Sequence, residues 1–344
     1  MSGEMWPMRK PAFVRSVSAA AGLLAVLGFG TPAHAQAWVP DRGEGAVSII
    51  FQSTYGRDHY FTTTKVDFGE IRSDALVLDV SYGVTRRLAV DLSLPYIASK
   101  YTGTKPHPSA LDDGSYHASA QDFRMAVRYG VRAGRFAVTP YVGSIVPSHG
   151  YEYWAHAAPG RQLRELQIGT YVATLLDPYV PGLFVQARLG YGFTERVIGI
   201  HHNRSMADLE VGYFLSERAR VFVLGSGQIT HGGIDIPTTG PLPAELRPFH
   251  DQIDRLNYLN AGFGGSFALT DSFDVFGSML TNQANRNGHA LNRGINVGVT
   301  WSFKRGNSHT TGAAPPAPEP KPEPTPAGQQ ARALIRCVCQ KGER

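Results

Sequence analysis

Cysteine is nearly missing from this chain. Its 344 residues contain two, Cys337 and Cys339, and both lie at the C-terminal end. A disulfide framework and a thiolate metal site are therefore excluded from everything that precedes them. The Cys-x-Cys pair itself predicts either a strained local disulfide or an incidental pair in a disordered tail.

Long apolar runs are also missing. The stretch from Val17 to Phe29 has about 13 residues, fewer than the roughly 20 that a membrane-spanning helix needs. No run after Gln36 is longer, and charged residues make up only 18% of the chain. Glycine, at 38 residues, and tyrosine and phenylalanine, at 15 and 17, are abundant instead. This composition is typical of strands that alternate between lipid and water.

The N-terminus has the order of a secretory signal peptide. Arg9, Lys10 and Arg15 precede the short apolar stretch, and Ala33-His34-Ala35 forms a small-x-small cleavage site before Gln36. We therefore predict a signal peptide at residues 1–35, rather than a membrane-anchoring helix. An exported protein rarely meets nucleic acid, so the sequence pI of 9.2 does not predict a nucleic-acid partner.

Period-two alternation then runs through the chain. Leu88, Val90, Leu92, Leu94 and Tyr96 share one face of a strand, while Ala89, Asp91 and Ser93 share the other. The same pattern predicts strands at 45–56, 68–83, 88–101, 119–130, 135–146, 163–176, 183–194, 205–215, 219–230, 256–269, 273–282 and 291–303.

The links between these strands alternate in length. Turns such as Thr85-Arg86-Arg87 are short, whereas 57–67, 102–118, 147–162, 195–204, 231–255 and 283–290 are predicted to be long loops. This predicts an all-β fold, a transmembrane antiparallel β-barrel of about 12 strands at residues 36–303. The even strand count places both termini on the short-turn, periplasmic side of the outer membrane. A soluble sandwich or lipocalin-like barrel would hide an apolar face, whereas the hidden face here is small and charged.

The last strand ends on aromatic residues. Ile295, Val297, Val299, Trp301 and Phe303 alternate along it. This resembles the terminal strand that the barrel insertion machinery recognises, so Trp301 and Phe303 are predicted to form that insertion signal. Residues 304–344 then form a proline-rich, disordered periplasmic tail. That tail is either a tether that contacts the cell wall or a periplasmic partner, or an inert extension.

Charged residues on the inferred inner face are the candidate functional residues. Unpaired charge in a narrow barrel is costly, so we expect them to pair across neighbouring strands. They would form either a salt-bridged plug or a polar constriction that selects solutes. The predicted lumen-lining residues are Asp79, Asp91, Asp122, Arg124, Arg128, Glu165, Arg188, Asp208 and Glu210. Arg220 is a less regular candidate, because its strand alternates poorly.

Two other groups of residues suggest chemistry more weakly. Ten histidines lie in or beside predicted loops, but their spacing defines no metal geometry, so we predict neither a metal nor a cofactor. Ser148-His149 is an adjacent Ser-His pair without an acidic partner at a matching position, and we predict that the protein is not an enzyme.

The segment 241–256 has helix-like spacing and either folds over the barrel mouth or remains an exposed loop.

One hairpin resembles a known family. The sequence SYGVTRRLAVDLSLPY, from Ser81 to Tyr96, is similar to a motif of the outer-membrane transporters called the meta-pathway of phenol degradation family. There a strand ends in Tyr-Gly-(Val/Leu)-Thr and the next ends in Leu-Pro-Tyr. The resemblance implies an outer-membrane barrel that passes hydrophobic or aromatic compounds, and it implies no catalytic residues.

The leading hypothesis is therefore a channel or transporter for small molecules, including hydrophobic or aromatic ones, embedded in outer-membrane lipid. The alternatives are a structural, envelope-tethering protein with a plugged barrel and, less favoured, a barrel hydrolase that uses Ser148.

Overall fold

Antiparallel strands close on themselves into a twelve-stranded β-barrel. The computed structural model describes residues 37–104, 109–237 and 241–304. Because some strands are interrupted, the sheet contains fifteen segments: β1 Glu44–Phe61, β2 Thr64–Gly83, β3 Leu88–Gly103, β4 His117–Ala120, β5 Phe123–Tyr129, β6 Val131–Ala133, β7 Phe136–Val146, β8 Glu165–Leu175, β9 Leu183–Thr194, β10 His202–Phe214, β11 Ala219–Gly232, β12 Asn257–Ala268, β13 Phe273–Arg286, β14 Gly288–His289 and β15 Arg293–Lys304.

Closure joins the first strand to the last. β1 pairs with β2 on one side and with β15 on the other, so that Glu44 lies opposite Lys304. A closed sheet has no free edge whose backbone groups would need other partners. Within the described ranges, no helix is long and apolar enough to cross a membrane. The prediction of an antiparallel barrel of about twelve strands is confirmed.

The two faces of the wall differ as the alternation predicts. Large apolar side chains face outward and are about half exposed, as at Leu76 (54%) and Val223 (57%). Between them, side chains such as Ile50 and Thr300 point inward and are fully buried. An exposed apolar band around a closed barrel is the surface that lipid covers.

Short turns and long connections lie at opposite ends of the barrel. Five connections at one end are short: 84–87, 134–135, 176–182, 215–218 and 269–272. At the other end, 147–164 and 233–256 are long, and the second contains a 3-10 helix at Arg247–Phe249 and a helical turn at His250–Ile253. A further 3-10 helix, Ala110–Asp112, follows β3. Glu44 and Lys304 both lie at the short-turn end.

Two predicted loops are wrong. Residues 283–290 are largely strand, because β13 continues to Arg286 and β14 covers Gly288–His289. Residues 57–67 are not a loop, because β1 and β2 continue as a paired hairpin to a turn at Thr62, with His59 opposite Val66. A bulge between Gly56 and Asp58 shifts the pairing there. The bulge breaks the period-two pattern, which is why the alternation ends early in the sequence.

Two boundaries also differ from the sequence prediction. The predicted strand 119–130 is divided between β4 and β5, with residues 121–122 interrupting it, and β6 follows beyond its predicted end. The last strand includes Lys304, whose Nζ lies 2.7 Å from the Glu44 carboxylate. The predicted signal peptide and the proline-rich tail beyond Lys304 lie outside the described residues.

The first described residues enter the short-turn end. The Thr139 hydroxyl, on the inner face of β7, donates to the Ala37 carbonyl at 2.6 Å. The Gly43 amide donates to the Gly83 carbonyl at 2.9 Å. Residues 37–43 therefore pack against the inner rim of the barrel before β1 begins.

Candidate functional site

Buried ion pairs cross neighbouring strands inside the barrel. Arg128 on β5 donates from Nε and Nη2 to the Asp91 carboxylate on β3, at 2.6 and 2.8 Å, and also to Ser81 Oγ at 2.9 Å. Arg188 on β9 donates to Asp208, its register partner on β10, at 2.6 Å. Ser226 donates to the same carboxylate at 2.7 Å. Each arginine thus has a carboxylate partner, and the Asp208 carboxylate also accepts the bond from Ser226.

A third pair spans two strands. Glu165 on β8 meets Arg204 on β10 at 2.5 Å, passing over β9. The Glu165 side chain lies over Gly192, and a Cβ added at this glycine would come within 2.7 Å of the Glu165 carboxylate. Thr194 and Gln167 donate to Glu165 at 3.1 and 2.6 Å. The glycine is therefore what allows the carboxylate to lie along the wall and reach a more distant arginine.

The remaining predicted residues extend the same network. Glu210 accepts from Gln186 at 3.1 Å and lies 3.8 Å from Arg220. Asp122 accepts a hydrogen bond from the Tyr151 hydroxyl. Arg124 is partly buried, and its charge is attracted to both Asp79 and Asp122. All nine predicted residues thus lie on, or beside, the segments from β2 to β10, and their side chains are wholly or partly buried.

Sequence reasoning missed several members of this network. Arg204 lies one residue before the strand that we predicted, although its parity with Asp208 indicates the inner face. Arg220, the uncertain candidate, contacts Glu210 and donates to Ser266 at 2.8 Å. Arg161 comes from a loop, where alternation carries no information.

The opposite wall has a different character. Along β12, β13, β15 and β1, the inner face at mid-barrel carries amide and hydroxyl side chains, namely Asn260, Ser278, Asn296, Ser48 and Gln52. Beside them lies a buried apolar cluster, formed by Ile50, Ala75, Val77, Ile97 and Phe276. The interior is therefore amphipathic, with paired charges on one side and uncharged groups on the other.

Aromatic rings lie flat against the inner wall. Four of them stand directly opposite a glycine in the strand register, and a Cβ at that glycine would overlap the ring or come within about 2.5–2.7 Å of it. The pairs are Tyr141 with Gly169, Phe184 with Gly212, Phe222 with Gly264, and Phe276 with Gly298. A fifth pair, Phe303 with Gly45, lies on the outer face at the junction of β15 and β1. Glycine gives each of these rings a recess in the wall, and the four inner rings are almost fully buried there, at 2–6% exposed.

A loop crosses the open end of the barrel. Residues 147–164, here called the lid, join β7 to β8, the fifth and sixth of the twelve strands in order around the barrel. Yet His156 of the lid contacts the rings of His59 on β1 and His289 on β14, with centroids 6.5 and 4.9 Å apart. β1 lies four strand positions from β7 and five from β8 in a barrel of twelve. The lid must therefore pass over the mouth.

Arg161 holds the other part of the lid. Its guanidinium donates to the carbonyls of Asp251 and Gln252, at 2.8 and 2.7 Å, and to the Asp254 carboxylate at 2.7 Å. Gln252 returns a bond to the Arg161 carbonyl at 2.8 Å. Burial raises the pKa of Asp254 to about 6, because the Arg161 charge offsets only part of the desolvation.

The segment with helix-like spacing folds inward. Of its apolar residues, Ile253 and Leu256 are fully buried, and Leu256 O accepts from Gln228 on the inner face of β11. The sequence left open whether the segment 241–256 folds over the barrel mouth or remains an exposed loop. Its C-terminal half folds over the mouth.

The Ser-His pair does not form a triad. The Ser148 hydroxyl lies 2.8 Å from His149 Nδ1, but His149 Nε2 contacts Ser119 Oγ at 3.3 Å, where a triad would place a carboxylate on the histidine's second nitrogen. Among the residues that the structure describes, no group of three or more potential ligands is arranged to hold a metal ion.

These features define a class of protein, a closed transmembrane-type β-barrel with an apolar exterior, a polar and aromatic interior and a loop across one mouth. Solved structures have the same fold. An outer membrane channel from Pseudomonas putida F1 superposes with a TM-score of 0.60 at 14% identity, covering 77% of this chain and 97% of that one.

More remote similarities extend to the NanC porin, with a TM-score of 0.45 at 9% identity over 74% of this chain and 98% of the porin. They also include the translocator domain of the autotransporter NalP from Neisseria meningitidis, with a TM-score of 0.43 at 14% identity over 76% of this chain and 88% of that one. No protein-family model matches the chain, and no curated protein matches it. The similarity of Ser81–Tyr96 to the phenol-degradation family is therefore not confirmed.

Proposed function

We propose that the protein is an outer-membrane channel for small molecules, and that hydrophobic or aromatic solutes are its preferred cargo. The observation that carries this proposal is the set of flat rings over glycines, at Tyr141, Phe184, Phe222 and Phe276. These rings are almost fully buried, at 2–6% exposed, and the Arg220 guanidinium lies over Phe184 and Phe222, so we propose that an aromatic solute displaces such neighbours to reach the ring faces. Aromatic faces of this kind stack favourably with aromatic solutes.

The paired charges support a selective passage. A solute that moves past Arg188–Asp208 and Arg128–Asp91 meets pairs of opposite charges that cancel each other locally. A bare ion of either sign therefore gains little electrostatic attraction from them. An uncharged or amphipathic solute can keep its polar group towards these pairs and its apolar part towards the Ile50 cluster.

Flux into liposomes tests this proposal. Purified protein in liposomes is expected to admit small aromatic solutes faster than sugars of the same mass. In Gly212→Ala, the Phe184 ring must leave the wall and enter the passage, so aromatic flux should fall severalfold. Gly225→Ala is the matched control, because a Cβ there meets nothing within 4 Å.

Folding is checked separately in both variants by the gel mobility of unheated samples. Equal flux in the folded Gly212→Ala variant would contradict the role of the flat rings. No flux of any solute, from wild type or from a variant whose lid is released by Arg161→Ala, would contradict the channel itself.

A plugged, structural barrel is the second candidate function. Its specific support is that the lid closes the mouth through buried contacts of Arg161 and His156, while the interior carries several separate charge pairs. Under this alternative, the tail after Lys304 would contact the cell wall or a periplasmic partner. Cell-wall pull-down with the full chain and with a chain ending at Lys304 distinguishes the two functions, because only tethering requires the tail.

The location follows from the same proposal. We infer that the signal peptide at residues 1–35 directs export, that the insertion machinery recognises Trp301 and Phe303, and that the short-turn end faces the periplasm. The outward apolar band supports contact with outer-membrane lipid. Protease treatment of intact cells should then cut the long-loop end of the barrel and spare the short turns.

A further inference from the structure

Three histidines meet where the lid reaches the far side of the mouth. The rings of His59 and His289 are 4.3 Å apart, and those of His289 and His156 are 4.9 Å apart. His59 and His289 are 6% and 5% exposed, and the His156 side chain is equally buried. His156 also stacks on Tyr101, with centroids 4.2 Å apart and planes 13° from parallel.

Each histidine belongs to a different segment. His59 lies on the extended β1–β2 hairpin, His289 on β14 after β13, and His156 in the lid. They are the contacts through which the lid reaches strands on the opposite side of the barrel. We propose that His59, His156 and His289 form a pH-sensitive latch, which holds the lid across the mouth near neutral pH and releases it on acidification.

The chemistry rests on charge at short range. An imidazole ordinarily titrates near pH 6.5, so histidine is the side chain whose charge changes over this pH range, and here the three rings pack edge to face. One proton is tolerated in the closed lid, because the Asp112 carboxylate lies 3.4 Å from His156 Nδ1. A second proton would place two like charges about 4–5 Å apart in a buried site, which opens the contact.

The charged groups around the latch are already engaged. Asp112 accepts the backbone amides of His156 and Ala157, at 3.2 and 2.9 Å. The Tyr101 hydroxyl donates to the Thr104 carbonyl at 2.6 Å. On the elements packed alongside, Asp58 pairs with Lys65, and Asp235 pairs with Arg255 and Arg286. None of these neighbouring pairs supplies a further negative charge without losing its own partner.

Asp254, at the other part of the lid, acts in the opposite direction. Its pKa is raised to about 6 in the closed lid, so acid favours docking at that carboxylate and rising pH disfavours it. The wild-type response is therefore the sum of two opposing contributions. The substitution Asp254→Asn removes the contribution of this carboxylate and leaves the contribution of the histidines.

Hydrogen exchange of the lid in liposome-reconstituted full-length protein tests the latch without depending on transport. After correction for the intrinsic pH dependence of exchange, the protection of residues 154–158 should fall as pH drops from 7.5 to 5. The opening constant should rise by about tenfold per pH unit for each additional proton bound by the open state. Asp254→Asn should show this loss at least as strongly as wild type.

The double variant His59→Gln/His289→Gln should keep residues 154–158 protected across the same range. His201→Gln is the matched control, because His201 lies in an exposed loop, and its profile should match that of wild type. Acid-induced opening that persists unchanged in the double variant would overturn the proposal. The proposal would also be overturned if the protection of residues 154–158 stayed unchanged between pH 7.5 and 5 in both wild type and Asp254→Asn.

Discussion

At the scale of single residues, the interior depends on groups that satisfy each other in pairs. Arg128 is nearly enclosed, with a side chain 5% exposed, and its guanidinium is held by both oxygens of Asp91. A buried charge that loses its partner is strongly destabilising, whereas an exposed pair contributes little. The consequence of a substitution therefore depends on burial rather than on the type of charge pair.

Asp91→Asn is expected to lower the free energy of unfolding by about 3 kcal/mol, because it leaves the buried Arg128 charge without its carboxylate. Arg57–Asp67 is the matched control, since both side chains are more than half exposed. Asp67→Asn should change stability by less than about 1 kcal/mol. Urea unfolding in liposomes measures both, and equal effects at the two sites would contradict this account.

The glycines opposite the rings give a second test at this scale. Gly212→Ala places a methyl group against the Phe184 ring and should destabilise the barrel by about 1–3 kcal/mol through overpacking. Gly225→Ala should leave the unfolding midpoint close to that of wild type, because its Cβ meets open space. A larger effect at Gly225 would mean that glycine matters here for backbone freedom instead of ring packing.

At the scale of elements, the connections at the long-loop end behave as docked units. Asp235 joins three segments by accepting from Arg286 at 2.6 and 2.9 Å, from Arg255 at 3.0 Å and from Asn287 at 3.1 Å. The hydrogen bonds from Arg286 are the main reason that the pKa of Asp235 is lowered. This carboxylate therefore binds its proton less readily in the docked loop than in the free chain.

The sign of the resulting pH dependence follows from that shift. A carboxyl group with a lowered pKa stabilises the docked loop above its ordinary pKa, near 4, and this contribution is lost as pH falls further. Exchange of the amides around residues 234–236 should therefore accelerate below about pH 4. Asp235→Asn should show weaker protection at neutral pH and no further loss in acid. The pH range of this Asp235 effect lies well below the pH range in which the histidine latch opens. The two effects can therefore be measured separately.

At the scale of the whole molecule, the barrel depends on the junction between its two ends. Phe303 and Trp301 lie opposite Gly45 and Val47, and Lys304 lies opposite Glu44. Without β15, the sheet would have two free edges, and free edges are not tolerated in lipid.

A chain ending at Lys304 should therefore insert and resist unfolding as the full chain does. A chain ending at Thr300 lacks the aromatic end of β15 and should not assemble. Heat-modifiable gel mobility and membrane fractionation measure both variants. Assembly of the shorter chain would contradict the role of Trp301 and Phe303.

The strands and their faces could be predicted from the sequence because alternation is a local property. Leu88 to Tyr96 shows it residue by residue, and the same rule predicted an inner position for Asp91, Arg128, Arg188 and Asp208, whose side chains are wholly or partly buried. It failed at Gly56, where a bulge changes the parity of the hairpin. The predicted strand 205–215 also began one residue too late to include Arg204.

The sequence by itself determined which residues form strands, which face of each strand is apolar, and that these strands suit a barrel in lipid. Only the tertiary structure decided which side chains meet. Glu165 reaches Arg204 across β9, Phe184 lies over Gly212, and His156 meets His59 and His289 across the mouth. These contacts depend on strand register, closure and the path of a loop, and all three are set by interactions between residues far apart in the chain.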